Sequence, residues 1–285
     1  MIYTIICIVC TSLLGALFKW SEHLKLRSAA FIPVNYFICF LIGFMHTGKS
    51  IFLEFSTAWI SYSIGLGCLF IIGFSYFARA IQKAGLPMTT LFQKMSILLT
   101  VSVAVLFGDA MNIYQLIGLI TGITSFFFIL GIDFAKSLNK FEFLGLLICT
   151  FVISSAIEII FIFVNKTFSF SSDLKLIFPS YIFLVAGILG LLFFSNMKSS
   201  FPITKSELLF GILLGIPNFY SIYFLMMALN HEMSGSVFFP ALNCSVILVS
   251  TLIGKYVFKE SFNDRQLMGV ALSMISIFLI FYFKK

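Results

Sequence analysis

Apolar runs of membrane-crossing length follow one another along the whole chain, with little between them. Their soft-edged limits are 2–18, 30–45, 58–78, 86–107, 113–132, 143–164, 176–195, 208–229, 235–254 and 265–283. A helix needs about 20 apolar residues to cross the hydrocarbon of a bilayer. The 285 residues therefore hold ten spans and no soluble catalytic domain of ordinary size. The runs are too long for membrane β-strands and lack the alternation of a strand with one lumenal face. The second run is short, with Pro33 and Asn35 near its start, and the connections at Lys136–Lys140 and Lys198–Lys205 carry turn residues and charge. Charged residues make up 10% of the chain and hydrophobic ones 60%, where a soluble domain has about 25% charged. A soluble monomer is excluded by that balance, as is a disordered chain. The expected fold class is an all-α membrane protein with ten transmembrane helices.

The net charge of +7 comes from basic residues lying between the runs. It reads as a topological signal rather than as a nucleic-acid-binding surface. All six cysteines lie inside apolar stretches. Cys7 and Cys10 have the C-x-x-C spacing of a redox or metal pair. They sit in a hydrophobic helix with no second Cys or His pair, so packing is the expected role. The opening MIYTIICIVCTSLLGALFKW has no basic leader and no small-residue cleavage site, and is expected to be a retained first span.

The most specific feature is an internal repeat. Gly108-Asp-Ala-Met-Asn-Ile-Tyr-Gln-Leu-Ile-Gly118 matches Lys259-Glu-Ser-Phe-Asn-Asp-Arg-Gln-Leu-Met-Gly269 at a constant offset of 151. Asp109 meets Glu260, Asn112 meets Asn263, Gln115 meets Gln266 and Gly118 meets Gly269. Gly122 meets Ser273, so each copy has a small-xxx-small step that lets helices approach closely. Tyr76-Phe77 and Tyr223-Phe224 occupy similar places upstream, with four extra residues in the second copy. The expected division is 1–135 and 136–285, five spans each. Five is odd, so the second copy enters the membrane from the opposite side. Such an inverted pair is a transporter signature, with the site near the midplane.

An acid at a helix end, a polar turn, then Leu-x-Gly opening the next helix resembles the EamA domain of the drug/metabolite transporter superfamily. The family's Gly-Glu stands here as Gly108-Asp109 and Lys259-Glu260. The proline it often has about thirteen residues earlier is replaced by Ser96 and Ile247. The resemblance implies two five-span domains in tandem and carriage of amino acids, metabolites, nucleotide sugars or drugs, by exchange or export.

Lys94 lies about eight residues into the fourth run, roughly 12 Å from its nearer edge. A charge at that depth usually faces a cavity, where it would contact an anionic substrate group; the alternative is a snorkelling ammonium. Gln93 points about 100° away from it, and Ser96, two residues on, is equally off-axis. Glu158, with Ser154 one turn before, lies in the sixth run and would bind protons or substrate, or else make a structural hydrogen bond. Lys94 and Glu158 differ in depth by about 10 Å, so a water-filled cavity rather than a direct pair is expected to join them. Pro217-Asn218 falls mid-span in the eighth run, and a bent or broken helix there would mark a binding site. Pro240 with Asn243 and Pro33 with Asn35 are comparable. Tyr76 and Tyr223 line the cavity or simply pack. Arg79, Lys83, His231 and Glu232 are expected to be interface anchors.

The chain has no H-E-x-x-H, no mid-span aspartate pair, no Ser/His arrangement and no P-loop. No enzyme activity, catalytic residue, cofactor or metal is therefore expected. The expected function is alternating-access transport of a small solute by rocking of the two halves, with protons as a coupling partner. A lipid-linked-substrate flippase or membrane enzyme is the alternative, and a non-transporting receptor or assembly partner a third class. The other expected partner is the lipid bilayer, with no nucleic acid, as monomer or homodimer in the plasma (inner) membrane of a bacterium. Orientation stays open. Alternate loops place twelve Lys/Arg on one side and five on the side of both termini. The positive-inside rule puts the termini outside, whereas the family resemblance puts them in the cytoplasm.

Overall fold

The computed structural model describes residues 1–48, 57–84, 86–129, 144–168, 174–195, 202–257, 259 and 263–282. The 135/136 repeat boundary, the 136–140 connection, residues 198–201 and Glu260 lie outside the described residues. With no water in a bilayer core, every backbone amide must find its partner within its own segment. The described residues accordingly form helices and no strand. They are α1 (Ile2–His23), α2 (Ser28–Thr47), α3 (Thr57–Ala84), α4 (Leu86–Lys94), α5 (Ile97–Leu106), α6 (Ile113–Ile129), α7 (Leu144–Thr167), α8 (Leu174–Ser195), α9 (Lys205–His231), α10 (Gly235–Tyr256) and α11 (Asp264–Tyr282). Eight of these, α1–α3 and α7–α11, are long and apolar enough to cross a membrane. The chain is an integral membrane protein.

Each apolar run meets one helix except the fourth, which is interrupted at Met95-Ser96 between α4 and α5. There the Ser96 amide donates to Gln93 O and the Leu98 amide to Met95 O, at 3.3 and 2.9 Å. Both are i→i−3 bonds, the tighter pattern that marks functional hinges within helices. No proline causes it. Pro33, Pro179, Pro217 and Pro240 all lie inside continuous helices. A single missing amide and the bond it removes can be tolerated when the remaining turns hold. At Pro217 the helix, bent or straight, is not broken; the interruption lies in the fourth run.

The chain forms two compact units. One comprises Met1–Ile71 and Phe163–Glu232, the other Ile72–Ile162 and Met233–Lys285. In the first, α2 packs on α8 and α9, and α1 packs on α9. Along α2 and α8, Gly43 lies against Ser180, Phe37 against Gly187 and Pro33 against Gly190. One helix rises as the other falls, so the pair is antiparallel. Gly211 against Val34 and Gly215 against Ile38 make α9 and α2 parallel.

In the second unit α6 packs on α11, and α10 on α5, α6 and α11. The repeated Asn and Gln explain themselves here. The Asn112 amide donates to Gln115 Oε1 at 2.9 Å and the Gln115 amide to Asn112 Oδ1 at 2.8 Å. Asn263 and Gln266 repeat this at 3.1 and 2.9 Å. Each pair is a reciprocal cap that satisfies two orphan amides at a helix start. The small residues three and seven positions after each Gln lie at the α6–α11 seam. Gly118 lies against Ile280 and Gly122 against Ser276, while the Ser273 hydroxyl donates to Ser125 Oγ at 2.9 Å. These contacts run in opposite directions along the two helices, which are therefore antiparallel. Ser125 and Ser276 are themselves repeat partners. Residue 122 thus meets the copy of 125, and 125 meets the copy of 122.

Candidate functional site

The helix interruption places two opposite charges on favourable ground. Lys94 is the last residue of α4, where the free carbonyls of a helix end favour a cation. Ser96 stands at the N-cap of α5 but its hydroxyl caps nothing within the helix. It donates instead to Glu158 Oε2 of α7 at 3.1 Å, beside Thr100 Oγ1 donating at 2.6 Å. The Glu158 carboxylate so lies along the first turn of α5, the end of a helix that favours an anion.

Asn243 of α10 joins the two charges. Lys94 Nζ donates to Asn243 Oδ1 at 3.0 Å. Asn243 Nδ2 donates to Glu158 Oε1 at 3.3 Å. Its amide can face only one way, oxygen to the ammonium and nitrogen to the carboxylate. A side chain thus fills the place where the sequence led us to expect water between Lys94 and Glu158. Asn243, Ser96 and Thr100 are buried, whereas Lys94 and Glu158 are half-buried. The serine that reaches the interruption is Ser155, whose hydroxyl lies 3.5 Å from Ser96 O and 2.8 Å from Phe151 O. Ser154 is half-buried. Tyr76 is half-buried on α3, one turn beyond Gly73, which packs on Ile153 and Ile157 of α7.

Asn218 and Asn35 belong to the other unit. Asn218 Nδ2 donates to Asn35 Oδ1 at 3.2 Å, and the Cys39 thiol lies 3.8 Å from that same oxygen. Cys39 also donates to Gly215 O at 3.3 Å, in the α9 turn that leads into Pro217. This knot ties α2 to α9. Tyr223 stacks on Phe219 with ring centroids 6.5 Å apart. The seven singled-out side chains therefore form two groups, with Lys94, Glu158, Asn243 and Tyr76 in one compact unit and Asn35, Asn218 and Tyr223 in the other. Ser96 and Thr100 complete the first group. Ser96 stood in the sequence as the residue replacing a family proline and was set aside as off-axis from Lys94, and Thr100 carried no signal.

At the ends of the spans, Arg27 Nε and Nη2 donate to the Glu207 carboxylate at 2.7 and 2.8 Å, and Thr204 and Glu207 form a capping box at the start of α9. Glu232 accepts from the Tyr3 and Thr4 amides and the Thr4 hydroxyl and pairs with the N-terminal ammonium. His231 Nε2 lies 2.9 Å from Lys175 Nζ. Cys7 donates to Ser221 O at 3.3 Å, and Cys7 and Cys10 are both free thiols. Among the described residues no group of three or more His, Cys, Asp or Glu is placed to hold a metal ion.

No known family's sequence model matches the chain. An uncharacterized protein of Haemophilus influenzae is 26% identical over 228 residues, covering 78% of this chain and 75% of that one. A solved crystal structure superposes with a TM-score of 0.82 at 14% identity, over 99% of this chain and 96% of the other. That likeness is one of fold.

Proposed function

We propose that the chain is a ten-span transporter of the EamA type, moving a small polar or amphipathic solute by alternating access across the plasma membrane of a bacterium. The observation that carries this reading is the Lys94–Asn243–Glu158 chain, an opposite-charge pair joined by one amide at a helix interruption. Charges at such depth are costly unless they serve a pathway, and interrupted helices with free ends are where transporters hold polar ligands. Lys94 takes an anionic group of the solute, Glu158 a proton or a cationic group, and Asn243 orients it. Within their own unit, Asn218 and Asn35 form a second pair of polar groups suited to a solute.

Support for two inverted five-helix copies, 1–135 and 136–285, comes from the repeat partners. The α2–α8 and α6–α11 pairs each join corresponding helices of the two copies, and each pair is antiparallel. The matched caps at Asn112 and Asn263 begin the last helix of each copy.

The test is a metabolite screen in proteoliposomes, with and without a pH gradient, comparing wild type with Lys94→Ala. A charge-assisted contact is worth about 1.5–3 kcal/mol. The variant is expected to lose at least about tenfold in transport while inserting and purifying normally. Unchanged transport by Lys94→Ala would sink the role given to Lys94, and no solute movement by wild type would sink the reading as a whole.

A further inference from the structure

The geometry assigns Glu158 as a resident proton-binding site, with the Thr100 hydroxyl as the switch that lets the carboxyl gain or lose its proton without breaking the network. That this proton drives solute movement rests on the transport reading above; the proton site itself rests on the following contacts.

In the ionised state Glu158 receives three donors. Oε1 takes Asn243 Nδ2, and Oε2 takes the Ser96 and Thr100 hydroxyls. Oε2, which already takes two hydroxyls, can hold a proton without losing a partner only if one of those donors turns into an acceptor. Thr100 can. Its hydroxyl carries one hydrogen and has two acceptors within reach, Glu158 Oε2 at 2.6 Å and Ser96 O at 3.0 Å. The Ser96 carbonyl already takes the Thr100 amide at 3.0 Å; the Ser155 hydroxyl, 3.5 Å away, is held more closely by Phe151 O at 2.8 Å, which leaves the second lone pair to the Thr100 hydroxyl. When Oε2 takes a proton from water, the Thr100 hydrogen rotates to Ser96 O. The new Glu158 O–H then donates to Thr100 Oγ1 along the same short line. Asn243 still donates to Oε1 and Ser96 to Oε2. One bond rotation serves both states, and no buried group is orphaned in either.

The charged and titratable neighbours are few. Lys94 acts through Asn243 from α4. Tyr76 shares the α3 face that packs on α7. Cys244 follows Asn243 on α10 but is turned to Ser276, its sulfur 3.5 Å from that hydroxyl. The elements around Glu158 thus present one cation and no second carboxylate among the described contacts. The Glu158 side chain is half-buried, and its donors Asn243, Ser96 and Thr100 are buried.

The experiment uses the full chain in lipid nanodiscs and protons alone as the probe. Infrared difference spectra are recorded on stepping between about pH 4 and 9, the range spanned by perturbed carboxyl groups. A reversible carboxylic-acid C=O band is expected in wild type, shifted by carbon-13 glutamate labelling and lost in Glu158→Gln. Thr100→Ser keeps the hydroxyl and is expected to titrate as wild type. Thr100→Val has nearly the same shape but no hydroxyl, and is expected to titrate at a displaced midpoint or not at all. Absence of the band in wild type, or its persistence in Glu158→Gln, overturns the proton site. A Thr100→Val titration that overlays wild type overturns the switch. Transport separates the two ideas. A wild type that shows the band but moves no solute overturns the transport reading and leaves the proton site standing. Solute movement that ignores a pH gradient equally in wild type and Glu158→Gln overturns the coupling.

Discussion

Glu232 follows the last residue of α9 and gathers the N-terminal ammonium, the Thr4 hydroxyl and two backbone amides of α1. Burial pushes its carboxyl up, but these partners together outweigh burial and hold it down to about 2. An unfolded glutamate titrates near 4.3. The group therefore adds stability that is fully present above that value and is lost as pH falls toward 2. Thermal unfolding of Glu232→Gln is expected to start from a lower midpoint at neutral pH and to fall less steeply on acidification than wild type. A variant as acid-sensitive as the parent would show that the cluster does not contribute. At the same scale, Lys94 and Glu158 were legible in the sequence because a charge inside an apolar run is rare and costly. Thr100 was not, because a threonine in a span ordinarily bonds its own backbone; its second partner comes from α7, 58 residues away. The Asn243 bridge had the same obscurity, since it depends on which helix lies beside which.

At the scale of the element, the ten runs and their approximate ends follow from hydropathy, because in a bilayer burial of backbone and of apolar surface point to the same answer. The interruption at Met95-Ser96 did not, for it uses neither glycine nor proline. Ser96 and Thr100 beside it are bonded to Glu158 of α7, a tertiary contact. The α6–α11 seam was half legible: the small-xxx-small step announced a close approach, but not with which helix. A Cβ at Gly122 would stand 2.5 Å from Cys244 Sγ and 2.7 Å from Ser276 Oγ. Gly122→Ala is expected to cost on the order of 1–3 kcal/mol, read as a lower unfolding midpoint in detergent. Cys244→Ala removes the nearer obstacle, so the double variant is expected to recover part of the loss, with a coupling of about 0.5–3 kcal/mol. Simple additivity would show that the two residues do not press on each other.

At the scale of the molecule, the compact units do not coincide with the sequence copies. Each unit takes helices from both, α2 with α8 in one and α6 with α11 in the other. A repeat seen in sequence says which segments are alike and not which segments pack together. The inverted reading nevertheless makes a topological prediction. Ile113 and Asp264 are exposed repeat partners at the starts of α6 and α11. As single cysteines in a background without other reactive thiols, Ile113→Cys and Asp264→Cys are expected to react with a membrane-impermeant maleimide from opposite sides of the membrane. Labelling from one side would remove the inverted arrangement and also settle which face carries the basic loops.

The seam between α6 and α11 has two faces that are copies of each other. A single five-helix copy could rebuild such a surface only by pairing with a twin inserted the other way up, so half the molecules would have to ignore the charge signals that orient the rest. In the proposed ten-span arrangement, joining the copies through an odd number of spans removes that demand. Under that reading, opposite insertion becomes a matter of chain parity.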